Sequence, residues 1–219
     1  MEKTPYRASL DLFSVVSGRT AITSAWRDRL PVLSGQRVML RELRPSDAES
    51  LWSVLNTEEV GRFISRPPTT VDGFEQFIAS SCTRRAAGRE VCFAITITGY
   101  DTAIGVIQVR QKNGRFETAE WGFAIGSAFW GSGMFEESAA LAIDFAFEVL
   151  GVHRLEARAA VLNGRGAAAL TKIGAVQECL MRKSFRCEGK VLDQGLFTIL
   201  DTDRSMTQTA RMFRAEQVH

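Results

Sequence analysis

Histidine is nearly missing from this chain: His153 and His219 are the only two among 219 residues. That scarcity excludes a histidine-rich metal centre and a nucleophilic triad built on a placed imidazole. His153 opens a strand-like segment and reads as structural. Cysteine is sparse too. Cys82, Cys92, Cys179 and Cys187 show no Cys-x-x-Cys spacing, so they read as reduced thiols, mostly core filler, in a chain large enough to fold without cross-links. No run approaches the roughly 18 apolar residues of a membrane span, and no charged-then-apolar leader opens the chain. The expectation is a cytoplasmic protein with no metal and no membrane partner. An excess of one charge is also lacking. Lys and Arg number 27 against 25 Asp and Glu, a net +2, which argues against the concentrated basic face of a large nucleic-acid footprint.

What is present is a balanced globular composition, 45% apolar and 24% charged, sufficient for one substantial core. Residues 1–33 carry Lys3, Arg7, Arg19, Arg27 and Arg29 against Glu2, Asp11 and Asp28, which suggests a solvated extension. The most informative stretch is Ala128-Phe129-Trp130-Gly131-Ser132-Gly133-Met134-Phe135-Glu136-Glu137. Its Gly-x-Gly turn runs straight into a helical stripe of Phe135, Ala139, Ala142, Phe145, Ala146 and Val149, with Glu137, Asp144 and Glu148 on the other side. Glycine lets backbone come close to a ligand, and a first helical turn offers unpaired N–H groups at the positive end of the dipole. Many such turns merely reverse the chain. Placed between the strand-like Ala119–Ile125 run and an amphipathic helix, this one has the setting of a phosphate or pyrophosphate loop.

The remaining elements follow from periodicity and punctuation. Gln36–Glu42 reads as a strand, and Arg44-Pro45-Ser46-Asp47 starts a helix with Ala48, Leu51, Trp52 and Leu55 inward. After the Pro67-Pro68 break, Thr69–Arg85 is a second helix with Val71, Phe74, Phe77 and Ile78 inward. Val91–Ile97 has the near-continuous apolar run of a central strand. Thr102–Arg110 follows, and Asn113-Gly114 signals a hairpin before Arg115–Ile125. His153–Val161 alternates like a strand, Asn163 caps a short helix from Gly164 to Ile173, and Gly174 ends it. Strands near Val176–Phe185 and Val191–Leu200 are joined by Cys187-Glu188-Gly189-Lys190, and residues 203–219 form a polar tail or a final helix. The order is strand, two helices, three strands, helix, strand, helix, two strands. That implies an α+β fold, a mixed sheet flanked by helices.

Several short pieces recur in a telling order. They are Arg41-Glu42-Leu43-Arg44-Pro45-Ser46-Asp47-Ala48, Glu120-Trp121-Gly122-Phe123, Trp130-Gly131-Ser132-Gly133, Leu150-Gly151-Val152-His153-Arg154-Leu155-Glu156-Ala157, Asn163, Lys172-Ile173-Gly174-Ala175 and Asp193. Together they resemble the GNAT superfamily of acyl-CoA-dependent N-acetyltransferases, above all its branch that acetylates the N-termini of ribosomal proteins. The resemblance runs from about Leu33 to Asp201. It implies an acyltransferase domain over 34–202, with 1–33 as an extension and 203–219 as a tail. It also implies a mostly antiparallel sheet splayed into a V-shaped cleft that takes acetyl-CoA, and a monomer or homodimer. On this resemblance, backbone groups around Ala124 and Ile125 pair with the pantetheine arm. N–H groups of Gly131, Ser132, Gly133, Met134 and Phe135 hold the pyrophosphate, and Asn163 either contacts the arm, caps its helix, or does both.

The chain departs from the family pattern at two places. Phe135 is bulky where a small residue is usual, and Glu136 adds a negative charge beside the phosphate site. Gly166 stands where the branch often has a serine able to protonate the leaving thiolate, and neither Tyr6 nor Tyr100 lies in that helix. Glu120 is the general-base candidate. Strand alternation puts it on one face with Gly122 and Ala124, provided no bulge intervenes, while Trp121, Phe123 and Ile125 face the core. An ion pair with a neighbouring arginine is the competing reading for Glu120, and a solvated helix start competes with a phosphate contact for Arg165. On the resemblance Arg182 and Asp193 would help shape the acceptor end, but structural pairing is their better-supported reading. The acceptor is a primary amine, at a peptide N-terminus or on a small molecule such as an antibiotic or polyamine. A non-catalytic CoA-binding regulatory module is the alternative of a different class.

Overall fold

The computed structural model describes residues 25–63, 67–187 and 189–203. Eight strands form a single sheet, β1 (Leu33–Ser34), β2 (Val38–Glu42), β3 (Glu90–Ile97), β4 (Ala103–Gln111), β5 (Thr118–Ile125), β6 (Arg154–Ala160), β7 (Val176–Cys187) and β8 (Lys190–Leu200). Their spatial order is β1-β2-β3-β4-β5-β6-β8-β7. Every neighbouring pair is antiparallel except β5 and β6. The helices are α1 (Ala48–Leu55), α2 (Glu58–Gly61), α3 (Val71–Ala86), α4 (Met134–Glu148) and α5 (Gly164–Lys172). The expected α+β architecture is therefore present. Most of the 1–33 extension and nearly all of the 203–219 tail lie outside the described residues.

Each face of the sheet buries its own apolar cluster. On one side α4 lays Ala139, Ala142, Phe145 and Ala146 against Phe93, Ile107, Trp121 and Leu155. Its alanines let the helix approach the strands closely, and Phe145 meets Phe93 edge-on at 5.3 Å between centroids. Trp26 and Leu30, inside the stretch read as an extension, are buried in this same cluster. On the other side α1 and α3 bring Leu51, Leu55, Phe74 and Ile78 over Cys92 and Ala94. Cys92 is thus the thiol that fills the core, and burial pushes its pKa far up. Cys82 and Cys187 are partly exposed and Cys179 is exposed, so core filler describes one cysteine of the four.

Local chemistry accounts for several boundaries. Asp47 accepts two bonds from the Arg41 guanidinium, at 2.8 and 2.7 Å, and a third from the Arg44 N–H at 2.8 Å. Both partners are buried, so the Arg41–Asp47 portion of the recognised motif ties the end of β2 to the following turn and is structural. The α5 helix closes with Gly174 at φ +93°, its N–H on the Thr171 carbonyl and the Ala175 N–H on the Leu170 carbonyl. Three expectations shift. Trp52 is 38% exposed rather than inward, its indole N–H donating to the Thr69 carbonyl at 3.0 Å. β5 starts at Thr118 instead of Arg115, because Gly114 at φ +79° belongs to a broader loop that the Lys112 N–H to Thr118 carbonyl bond closes at 3.1 Å. A two-residue β1 and the single-turn α2 add to the expected order.

Candidate active site

β5 is paired along its whole length with β4, from Ala119 opposite Gln111 to Ile125 opposite Gly105, with no register shift. The bulge that would have upset the face assignment does not occur. Its pairing with β6 is short: Thr118, Ala119 and Glu120 meet Arg154, Leu155 and Glu156, and there the two parallel strands part. Both continue, β5 to Ile125 and β6 to Ala160. The result is a V-shaped gap with Glu120 at its apex.

Hydrogen-bond phase decides which backbone groups face this gap. The Gly126 N–H donates to the Ile104 carbonyl at 2.9 Å, so even-numbered residues of β5 turn their groups toward β4. From the other side, the His153 N–H reaches the Glu117 carbonyl at 2.9 Å, so odd-numbered residues turn toward β6. Beyond Glu120 the groups of Phe123 and Ile125 therefore look across the gap. Ala124, expected to share that backbone role, turns its own groups to Val106 and offers only its side chain. The Ile125 carbonyl accepts the Trp130 indole N–H at 2.9 Å, so among the described residues the Ile125 group facing the gap without a partner is its N–H.

Two cavities open from the gap. One, of about 830 Å³, is lined by Ala124, Ile125, Gly131, Phe135 and Asn163 among others. Five of the eight expected cofactor-contact residues thus share one wall system. Ser132, Gly133 and Met134 stand in the adjoining turn. Gly131 and Gly133 both sit in the left-handed region, at φ +73° and +82°, and the turn is held by the Ser132 hydroxyl donating to the Phe129 carbonyl at 2.6 Å. Arg37 Nη1 donates to the Ser132 carbonyl at 2.9 Å, placing a cation behind the loop. Phe135 packs on Phe123 at 4.1 Å between ring centroids, which turns its bulk toward the core-side wall as well as the cavity.

The acids at the start of α4 are neutralised locally. Lys172 of α5 ion-pairs with Glu136, and that bond holds the Glu136 carboxyl below its usual range. Glu137 accepts the backbone N–H groups of Gln36 and Arg37, the latter at 3.0 Å, so it belongs to a clamp rather than a solvated face. The charge that Glu136 was expected to add beside a phosphate is thereby paired. Arg165 lies with its guanidinium 4.2 Å from the Trp130 ring centroid and lines the same cavity. Asn163 caps α5 by accepting the Gly166 N–H at 2.9 Å, and it lines both cavities. Gly166 brings no acidic proton to either.

The second cavity, of about 940 Å³, holds Glu120. Glu120 is partly exposed, with Arg158 Nη1 3.4 Å from its Oε2. Both sequence readings of Glu120 are thus compatible: it faces a cavity and it has an arginine neighbour. Arg110 lies directly opposite on β4 and Glu156 opposite on β6. Sequence reasoning did not single out Arg158 or Arg110; the strand alternation around Arg154, Glu156 and Arg158 carried the signal, but only the register brings those residues to Glu120. Among the described residues Asp193 is not paired with Arg182. Its carboxylate accepts the Lys183 N–H at 2.7 Å, where Lys183 sits at φ +50° in an irregular part of β7. His153 is exposed, with Nδ1 2.8 Å from Asp201 Oδ2, a structural pair. Among the described residues no cluster of His, Cys, Asp or Glu could hold a metal ion, and no helix is long and apolar enough to cross a membrane.

The family profile described as "Acetyltransferase (GNAT) domain" matches residues 37–176. Among curated relatives, "Uncharacterized N-acetyltransferase p20" of Bacillus licheniformis is 27% identical over 175 residues, covering 78% of this chain and 97% of that protein. "Putative ribosomal N-acetyltransferase YdaF" of Bacillus subtilis is 26% identical over 75% of this chain and 92% of its own. Among solved structures, Mycobacterium smegmatis RimJ in complex with CoA-disulfide superposes with a TM-score of 0.70 at 21% identity, over 78% of this chain and 85% of that one. That last likeness is one of fold.

Proposed function

This chain belongs to the GNAT family of N-acetyltransferases, and on that premise we propose that it moves the acetyl group of acetyl-CoA directly to a primary amine at a peptide N-terminus, with Glu120 as the base. The observation that carries the reading is the parting of β5 and β6 immediately beyond Glu120. An open strand edge takes up an extended amide-bearing chain as an added strand would. The N–H of Ile125 and the groups of Phe123 serve the pantetheine arm. The Gly131–Gly133 turn and the first turn of α4 serve the pyrophosphate, with Arg37 and Arg165 supplying nearby positive charge and Lys172 cancelling the charge of Glu136. Asn163, which lines both cavities, serves the arm as well as capping α5.

In the transfer, the amine lone pair forms the C–N bond at the thioester carbonyl while a backbone N–H on the open edge stabilises the oxyanion. The C–S bond then breaks. Glu120 takes the proton from the nitrogen directly or through water, and the thiolate takes one from water or from the same relay, since Gly166 has none to give. A peptide acceptor is supported by the elongated gap and by a relative whose name carries a ribosomal role. The test is release of CoA from acetyl-CoA with amidated Ser- and Ala-initiated peptides, set against polyamines and aminoglycosides. Acetylated peptide with a rate dependent on Glu120 supports the reading. Turnover of polyamines alone would overturn the acceptor and leave the acetyltransferase.

A further inference from the structure

We infer that the acceptor carries a carboxylate within a few bonds of its reacting amine, recognised by Arg110 and Arg158 on either side of Glu120. The inference rests on the acceptor site proposed above and names the chemical class that the site takes. The charged residues among the described lining of the Glu120 cavity are Arg84, Arg110 and Arg158 against Glu120 alone. Beneath them lies Glu90, fully buried on β3. Arg84 spends itself there, with Nε 2.9 Å from Glu90 Oε2 and Nη2 3.1 Å from Oε1. Arg110 gives Glu90 only its Nε, at 3.0 Å, and Arg158 meets Glu120 through one nitrogen at 3.4 Å. A guanidinium has five N–H donors in a planar fork. Among the described residues, the other donors of Arg110 and Arg158 have no protein partner.

The placement follows from the register. Glu90, Arg110 and Glu120 stand opposite one another on β3, β4 and β5, and Glu156 continues the row on β6. Arg158 lies two residues past Glu156, just beyond the parting of the strands and on the same face. Glu120 is therefore bracketed by two cations, about 5.5 Å from Arg110 between Cα atoms by ladder geometry. Arg84, Arg110 and Arg158 against Glu90 and Glu120 leave one net positive charge, which opposes an entering ammonium. A carboxylate on the same molecule reverses that balance, because it can take the fork that the protein leaves unfilled. The rest of the wall, with Leu55, Phe74, Phe77 and Val106, offers no second acid to a polycation. The fitting acceptors are an N-terminal aspartyl or glutamyl residue, or the free acidic amino acid.

The experiment compares kcat/KM for C-terminally amidated tripeptides that differ only in Asp, Asn or Ser at the first position, with free aspartate and glutamate as separate arms. The wild type is expected to favour Asp over Asn by about 10- to 100-fold, the worth of a hydrogen bond or two to a charged group. Arg158→Gln should bring that ratio to within about threefold of unity, because losing its Glu120 contact acts on all three peptides alike whereas losing its remaining donors acts on the acidic one. Arg110→Gln should do the same; should it fail to fold without its Glu90 contact, Arg158→Gln decides alone, its fold verified by thermal stabilisation with acetyl-CoA. Free aspartate used in preference to the peptide supports the inference and identifies the source as an amino acid. Asn or Ser peptides acetylated as well as Asp, or an Asp preference that survives Arg158→Gln, overturns it while peptide acetylation stands. Acetylation of polyamines alone overturns this inference together with the peptide reading.

Discussion

The two halves of β5 share one strand and one neighbour, yet they are built for opposite ends. From Thr118 to Glu120 the strand is paired on both sides, and the residues around it are knitted by charge. Glu156 receives Lys112 and Arg154, and Arg154 also forks onto Glu178 at 2.8 and 2.6 Å. Burial alone would raise the Glu156 carboxyl, but the bonds from Lys112 and Arg154 outweigh it and hold it below its usual range. From Phe123 to Ile125 the same strand has a partner on one side only. Its unpaired backbone groups would be a liability on an outer edge, but here they line an interior cleft. The gap opens where pairing with β6 stops, and Glu120 sits at that stop.

The sharpest way to break the contrast is at the junction. Glu120→Gln keeps the shape and removes the proposed base, so turnover should fall by about 10²–10⁴, roughly 3–5 kcal/mol in barrier, while acetyl-CoA affinity holds. Steady-state kinetics together with calorimetric titration read both quantities. In the closed half, Leu155 is fully buried opposite Ala119. Leu155→Ala should cost about 2–5 kcal/mol of stability by urea denaturation, and a loss under 1 kcal/mol would mean that the closed half is not the anchor.

In the open half, Gly131 is the better probe of the loop than Gly133. A Cβ at Gly133 would stand 2.6 Å from Arg37 Nη1, whereas at Gly131 it meets nothing within 4 Å. Acetyl-CoA at ~100 times its dissociation constant should stabilise the wild type by ~2.7 kcal/mol, and Gly131→Asp should lose most of that through the added charge and the strain of a side chain at φ +73°. Equal thermal shifts would remove the pyrophosphate assignment. The smallest effect belongs to Glu178, which Arg154, and then Thr198, hold down to about 2. A carboxyl with a lowered folded pKa contributes stability above its unfolded value of roughly 4.3, and that contribution is lost as pH falls toward 2. Glu178→Gln should therefore flatten the stability profile between about pH 5 and pH 2, and leave it unchanged above.

Most of the architecture was legible because each signal was local. The Gly-x-Gly turn, the α4 stripe, the Asn163 cap and the Gly174 stop lie in short windows of sequence, and all four are where periodicity put them. What escaped reading was long-range or one-sided. Trp52 carries an apolar ring, but its indole N–H found Thr69 seventeen residues on and drew it outward. Glu137 was placed only on the side of α4 away from the apolar stripe, because nothing nearby in sequence shows that the Gln36 and Arg37 amides arrive there from the turn before β2. The Arg110–Glu120–Arg158 bracket depends on three strands in register, which no single window encodes. Ala124 and Ile125 were adjacent in sequence and equal as candidates. Ladder phase separates them.

That phase permits one decisive measurement, residue-resolved amide hydrogen exchange along β5 with and without acetyl-CoA. The amides of Phe123 and Ile125 are expected to become markedly slower to exchange when acetyl-CoA is added. Ala124, already paired with β4, and Ala119, already facing β6, should change little. Exchange at Phe123 and Ile125 that is unaltered by saturating acetyl-CoA would contradict the claim that the open half of β5 is where the acetyl donor lies.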